Sequence, residues 1–214
     1  MRQPVIFAAL FAMLVAPAIR ARQAPPSATY ITSEEVQTVN TQPGTDRTIR
    51  VVDIGNENFA VGVIHRGATG TARGGGAGGA AGRAGAATAA QPRGQAETPV
   101  PQGATPGGIA HDSQTEGYLV ISGGGTLATG GRIVNGSKSS ATSAVTRELN
   151  GPSCSGAIAG DDVVKKVVKT GDIIIIPAGV PHGWTDIPDH VDYLSFRPSA
   201  RVLAAGYVHP SIRK

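Results

Sequence analysis

From residue 109 to residue 198 the chain is cut by turn signals every few residues, and no long stretch spaces its apolar residues as a helix would. What remains between the turns is strand-sized: residues 118–121, 125–129, 132–134, 157–159, 163–168, 173–176 and 191–196. Many short strands with regular turns close into a sandwich or a barrel, so the core is expected to be all-β. Residues 48–54 and 58–65 add two more strands around the turn at Gly55-Asn56. In the first of these, Ile49, Val51 and Asp53 share a face opposite Arg50, Val52 and Ile54. Thr32 and Glu35 have the spacing of a capping box, which predicts a short N-terminal helix through about Val39.

Aromatic residues make up only 4% of the chain and glycines number 30, so the apolar core must come from Val, Ile, Leu and Ala. Residues 67–108 are almost entirely Gly, Ala, Pro, Thr and Gln, with Val100 the one bulky apolar side chain. Such a segment cannot offset its own ordering entropy and is expected to be a disordered surface insertion between two strands. Arg73, Arg83 and Arg93 are too widely spaced for a basic binding arm, and no Gly-x-y period points to collagen.

The first residues read as a secretory signal. Arg2 supplies a positive start, residues 5–18 are apolar apart from Pro17, and Ala16-Pro17-Ala18 offers a small-x-small cleavage site. The run is too short to span a bilayer comfortably, and no second one is long enough. These features predict a signal peptide over residues 1–21, a linker and helix over 22–47, a barrel over 48–198 and a tail over 199–214. The mature protein is expected to be periplasmic or secreted, with no stable membrane insertion. Cleavage after Ala18 removes Arg2 and takes the net charge from +4 to +3; cleavage after Ala21 also removes Arg20 and leaves +2. So weak a charge argues against nucleic acid as a partner. The single cysteine, Cys154, rules out an intramolecular disulfide; it is left to pair between chains, as in a homodimer, or to serve as apolar filler.

Two stretches hold the residues suited to chemistry. In residues 109–123, His111 and Glu116 flank a polar turn before a strand. In residues 171–186, four consecutive isoleucines suggest a strand covered on both faces, which Pro177 and Gly179 end just before His182. A barrel can set the two stretches side by side. His65, at a strand end, could reach the barrel mouth; His190 and His209 are expected in an exposed turn and the tail. Trp184 and Tyr193 are expected to line the barrel, and Tyr118 to serve as packing.

The pattern resembles the cupins. Their first motif is a glycine, a His-x-His pair, a glutamate and a second glycine; Gly103, His111, Glu116 and Gly123 match it, with Ile109 at the first histidine position. Their second motif is a glycine, a Pro-x-Gly turn, a histidine and an asparagine; Gly171, Pro177, Gly179 and His182 match it, with Asp186 at the last position. The resemblance spans residues 48–198 without the insertion and implies a double-stranded β-helix, or jelly-roll barrel. It also implies a divalent metal ion on His111, Glu116 and His182. Two imidazoles and a carboxylate suit Fe(II) with open positions, and serve Zn, Mn or Ni as well. A metal-dependent oxygenase, isomerase or lyase acting on a small organic molecule is one expectation. A metal-free barrel that binds a small ligand without turning it over is the other, and a pure scaffold a third, since fold alone does not fix function.

Overall fold

The structure is a computed structural model that describes residues 27–69, 92–93, 100–143, 146–199 and 204–213. Residues 1–21, read above as a signal peptide, lie outside these residues, as do 70–91 and 94–99 of the insertion. One helix, α1 (Ser33–Asn40), precedes eleven strands: β1 (Asp46–Asp53), β2 (Asn58–Gly67), β3 (Pro92–Arg93), β4 (Thr105–His111), β5 (Glu116–Thr129), β6 (Arg132–Lys138), β7 (Ser153–Ala159), β8 (Val164–Lys169), β9 (Ile173–Ile176), β10 (His182–Asp186) and β11 (His190–Ser199). A π-helical turn, Thr146–Asn150, leads into β7, and a 3-10 turn, Pro210–Ile212, ends the described chain. No helix of the described residues is long and apolar enough to cross a membrane.

All pairings are antiparallel, and they form two sheets. One runs β1-β2-β11-β5-β9 and the other β8-β5-β10-β4-β7-β6-β3. Strand β5 belongs to both: Glu116 to Gly123 pair with β9 and β11, and Gly124 to Thr129 pair with β8 and β10. The bend falls at Gly123, in the left-handed region at φ 68°, where a side-chain carbon would lie 2.0 Å from the His190 carbonyl oxygen. The main core fills the space between the sheets with Ile64, Val120, Leu127, Trp184, Val191 and Tyr193. A second apolar cluster, built on Val39, Ile49, Val61 and Val63, joins α1 to the outer face of the first sheet. Thr32 caps α1 as expected: its hydroxyl accepts from the Glu35 amide at 3.2 Å, and the Glu35 carboxylate accepts from the Thr32 amide at 3.3 Å.

Several elements depart from the expectation. Order extends into the Gly/Ala-rich stretch, since β2 runs to Gly67, β3 pairs with β6, and β4 begins at Thr105, ahead of Ile109. Gly108 is a packing glycine here, because a side-chain carbon on it would come 2.2 Å from Ile158 Cγ1. The isoleucine strand β9 is covered on one face only. It lies at the edge of its sheet, leaving Ile173 and Ile175 71% and 67% exposed while Ile176 is buried. The tail also docks: the His209 amide donates to the Ile49 carbonyl, and the Val51 amide to the Tyr207 carbonyl.

Candidate metal centre

Strand pairing explains why His111, Glu116 and His182 meet. His182 opens β10 opposite Ile109 of β4, and His111 lies two residues further along β4 on the same face. Glu116 starts β5 on the inward phase it shares with Tyr118 and Val120. Its Oε2 lies 3.2 Å from His182 Nε2 and 3.4 Å from His111 Nε2, and all three side chains are buried. One donor atom from each residue falls within 4.8 Å of the others. Ile109, buried beside them, presents only a hydrocarbon at the first motif position.

Backbone carbonyls fix the protons on the rings. His111 Nδ1 lies 2.8 Å from the Asn150 carbonyl and His182 Nδ1 3.0 Å from that of Val180. A carbonyl can only accept, so each Nδ1 carries hydrogen, and a neutral ring then turns a lone pair on Nε2 toward Glu116. Glu116 is itself an acceptor. Arg197 Nε donates to its Oε1 at 2.6 Å and the Tyr118 hydroxyl to its Oε2 at 2.5 Å. Burial pushes the Glu116 carboxyl up, but the Arg197 charge, joined by hydrogen bonds from His111 and His182 when their Nε2 atoms carry protons, outweighs burial and holds it well below the usual carboxylate range. Burial, reinforced by the Glu116 charge, pushes the Tyr118 phenol well above its usual value, so it stays a proton donor. Arg197 is anchored from behind, donating to Asp46 Oδ2 at 2.5 Å, to Asp46 Oδ1 at 3.3 Å and to the Leu149 carbonyl at 3.4 Å.

The convergence of lone pairs is the centre's distinguishing feature. His182 Nε2 is buried and has no hydrogen-bond partner, while a carboxylate oxygen faces it. Three such groups repel unless positive charge lies among them. Bonds of about 2.0–2.2 Å to a shared ion place neighbouring ligand atoms about 3 Å apart, which the two His–Glu separations match. The histidines thus have the ring orientation of metal ligands, with the opposite nitrogen held by a carbonyl.

The other histidines lie elsewhere. His65 is exposed, with Nδ1 2.6 Å from Asp192 Oδ1, and takes no part in the centre. His190, half-buried, faces Ser122 Oγ at 2.8 Å and Asp189 at 2.7 Å; His209 caps the 3-10 turn. Trp184 and Tyr193 line the barrel as expected, but Tyr118 is a hydrogen-bond donor to the centre as well as packing. Arg197 and Asp46 were not singled out from the sequence. The one available signal was that Arg197 continues the inward phase of Val191, Tyr193 and Ser195.

No protein-family model matches the chain, and no curated protein matches it. Solved structures similar to it include a Bacillus halodurans protein, 12% identical, covering 87% of this chain and 92% of its own, with a TM-score of 0.39. Another is an uncharacterized conserved protein with a double-stranded β-helix domain from Klebsiella pneumoniae, 16% identical over 80% of this chain and 90% of its own, TM-score 0.33. A recombinant oxalate oxidase in complex with glycolate is 14% identical over 74% of this chain and 53% of its own, TM-score 0.32. Two antiparallel sheets sharing β5 around one interior, with His111, Glu116 and His182 turned into it, make this fold a cupin-type double-stranded β-helix.

Proposed function

We propose that the chain is an exported, metal-dependent cupin acting on a small organic molecule inside the barrel, with an oxygenase reaction favoured over isomerase or lyase chemistry. One observation carries the metal reading: the buried, partnerless Nε2 of His182 faces an ionised Glu116, with His111 turned the same way. A divalent ion on this set would supply Lewis acidity and, with iron, redox chemistry. The chain's own groups prepare the centre. Arg197 keeps Glu116 ionised, the Asn150 and Val180 carbonyls keep both imidazoles in the ligand tautomer, and the Tyr118 hydroxyl holds a proton at Glu116 Oε2. Export is supported by Arg2 and the apolar run that follows it.

The test is metal retention. Protein made without added metal and then offered Fe(II), Mn(II), Zn(II) or Ni(II) is expected to hold close to one ion per chain by elemental analysis. His182→Ala is expected to hold none, while His190→Ala and His209→Ala hold as much as the parent. Chelation is expected to lower the melting temperature of the parent and leave that of His182→Ala unchanged, because an ion bound only to the folded state stabilises it by mass action. A parent that holds no ion and is indifferent to chelator would leave a proton, shared as an imidazolium, as the positive charge of the cluster. The barrel would then be a metal-free ligand binder.

A further inference from the structure

Strict alternation along β5 would turn Ser122 into the barrel with Glu116, Tyr118 and Val120. A bulge reverses it. Asp192 and Tyr193 are neighbours on β11 but pair with Ser122 and Val120, so Ile121 is an extra residue. Ile121 packs with the apolar cluster on the outer face of the first sheet, and Ser122 turns to that face too. There a row runs from His65 on β2 through Asp192 on β11 to Ser122 on β5, and His190 lies two residues before Asp192. Gly123 allows β5 and β11 to close together beside this row, since a side-chain carbon on it would lie 2.0 Å from the His190 carbonyl oxygen.

The bulge sets Ser122 Oγ 2.8 Å from His190 Nε2, while Asp189 Oδ2 lies 2.7 Å from Nδ1 of the same ring. An ionised carboxylate only accepts, so Nδ1 carries hydrogen; on a neutral ring Nε2 is then bare, and the Ser122 hydroxyl donates to it. Asp192 is engaged elsewhere: its Oδ1 lies 2.6 Å from His65 Nδ1, and its Oδ2 accepts from Asn40 Nδ2 at 3.3 Å. The His65 ring stacks on that of His190, with centroids 6.3 Å and planes 23° apart, and bounds the cluster on one side. The rest is open to solvent, for Ser122 and His190 are half-buried and Asp189 is exposed. A hydroxyl bonded to a ring nitrogen whose opposite nitrogen is held by a carboxylate is the arrangement that makes serine a nucleophile. None of the three candidate metal ligands takes part in it.

We infer that Ser122 is the nucleophile of a second, metal-independent activity, the hydrolysis of aryl esters of short carboxylic acids, with His190 as general base and Asp189 as its positioning residue. Ser122 Oγ adds to the acyl carbon as its proton passes to His190 Nε2. The bond from that carbon to the phenol oxygen then breaks, and the proton moves on to the leaving oxygen. Water, giving a proton to the same nitrogen, adds to the acyl-serine; the proton returns to Ser122 Oγ as the acid leaves. Because the site is open, water reaches the negative oxygen of the addition stage, so the esters that react are those whose leaving oxygen needs little help. The exposed glycine at 123 offers little apolar surface to a long acyl chain, which favours a short one.

The probe is p-nitrophenyl acetate, mixed with the full chain both metal-loaded and chelator-treated, and p-nitrophenol release is followed by absorbance. The two preparations are expected to react at the same rate. Ser122→Ala and His190→Ala are each expected to lower that rate at least about tenfold, and His209→Ala to leave it unchanged. Asp189→Ala is expected to lower it and Asp189→Glu, which restores a carboxylate, to recover part of the loss. Peptide mapping after brief exposure should find an acetyl group on Ser122 in the parent and none there in His190→Ala. Circular dichroism establishes that each variant is folded. A folded Ser122→Ala that keeps the parental rate, or acetyl groups found on lysines alone, would overturn the inference. Hydrolysis that is lost on chelation but survives Ser122→Ala would assign it to the metal centre and overturn the inference as well.

Discussion

A carboxylate as enclosed as that of Glu116 stays ionised only because positive charge lies against it, and Arg197 supplies that charge at 2.6 Å. Replacing Arg197 with Met leaves both Glu116 and Asp46 facing the interior without their cation. Breaking a buried pair from one side typically costs about 3–5 kcal/mol, and a fall of that size in unfolding free energy is expected from urea titration. Glu116 should take up a proton in the same variant, so metal retention should fall with stability even though no ligand has changed. Arg197→Met with parental stability and full metal content would refute this role. The three candidate ligands were legible because they stand at motif spacing. Arg197 and Tyr118 were not, because an arginine in a strand ordinarily belongs to a solvated face and a tyrosine to packing. Only strand register shows that both turn inward, and register is a tertiary property.

Among the elements, the C-terminal tail bonds along the open edge of β1, with Gly206 and His209 amides donating to Val51 and Ile49. His209 Nδ1 accepts from the Ser211 amide at 3.2 Å, which only an unprotonated nitrogen can do. Burial, aided by the Arg47 charge, lowers the His209 pKa below the ordinary imidazole value of 6.5. A group with a lowered folded pKa contributes stability that is fully present above the unfolded value and is lost as pH falls through the folded one. Tail docking should thus weaken as pH drops below about 6.5. Amide exchange at Val51, Gly206 and His209, corrected for intrinsic rates, should show less protection at pH about 5 than at about 7.5. His209→Asn, which keeps an acceptor, should lose that pH dependence. Element by element, short strands between strong turns were readable, as was the capping box of α1. The start of β4 was hidden because Gly107 and Gly108 look like linker, although Ile158 packs into the space Gly108 leaves. The double burial expected of β9 failed because periodicity cannot tell an edge strand from a central one.

For the molecule as a whole, β5 is the strand through which the two sheets share one interior, and its bend at Gly123 sets how they close. Alanine there meets both a left-handed φ of 68° and the His190 carbonyl oxygen at 2.0 Å, so Gly123→Ala should cost at least about 2–3 kcal/mol. Gly179, at φ 81° with nothing within 4 Å of a side-chain carbon, isolates the backbone term, and Gly179→Ala should cost about 1 kcal/mol. Equal urea midpoints for the two variants would show that the bend is not held by close packing. The all-β class was readable from turn spacing alone, whereas the sharing of β5 was not, since residues 118–121 and 125–129 read as two strands. The same strand carries β8 and β9 on its flank, where Val164, Val167, Ile173 and Ile175 face outward beside Lys165, Lys166 and Lys169. An uncapped margin so rich in β-branched side chains is a template for sticking to other chains, and the interspersed lysines act as gatekeepers. The protein's colloidal behaviour accordingly hangs on a few like charges, and concentrated salt, by screening them, would drive it toward aggregation while the centre inside stayed untouched.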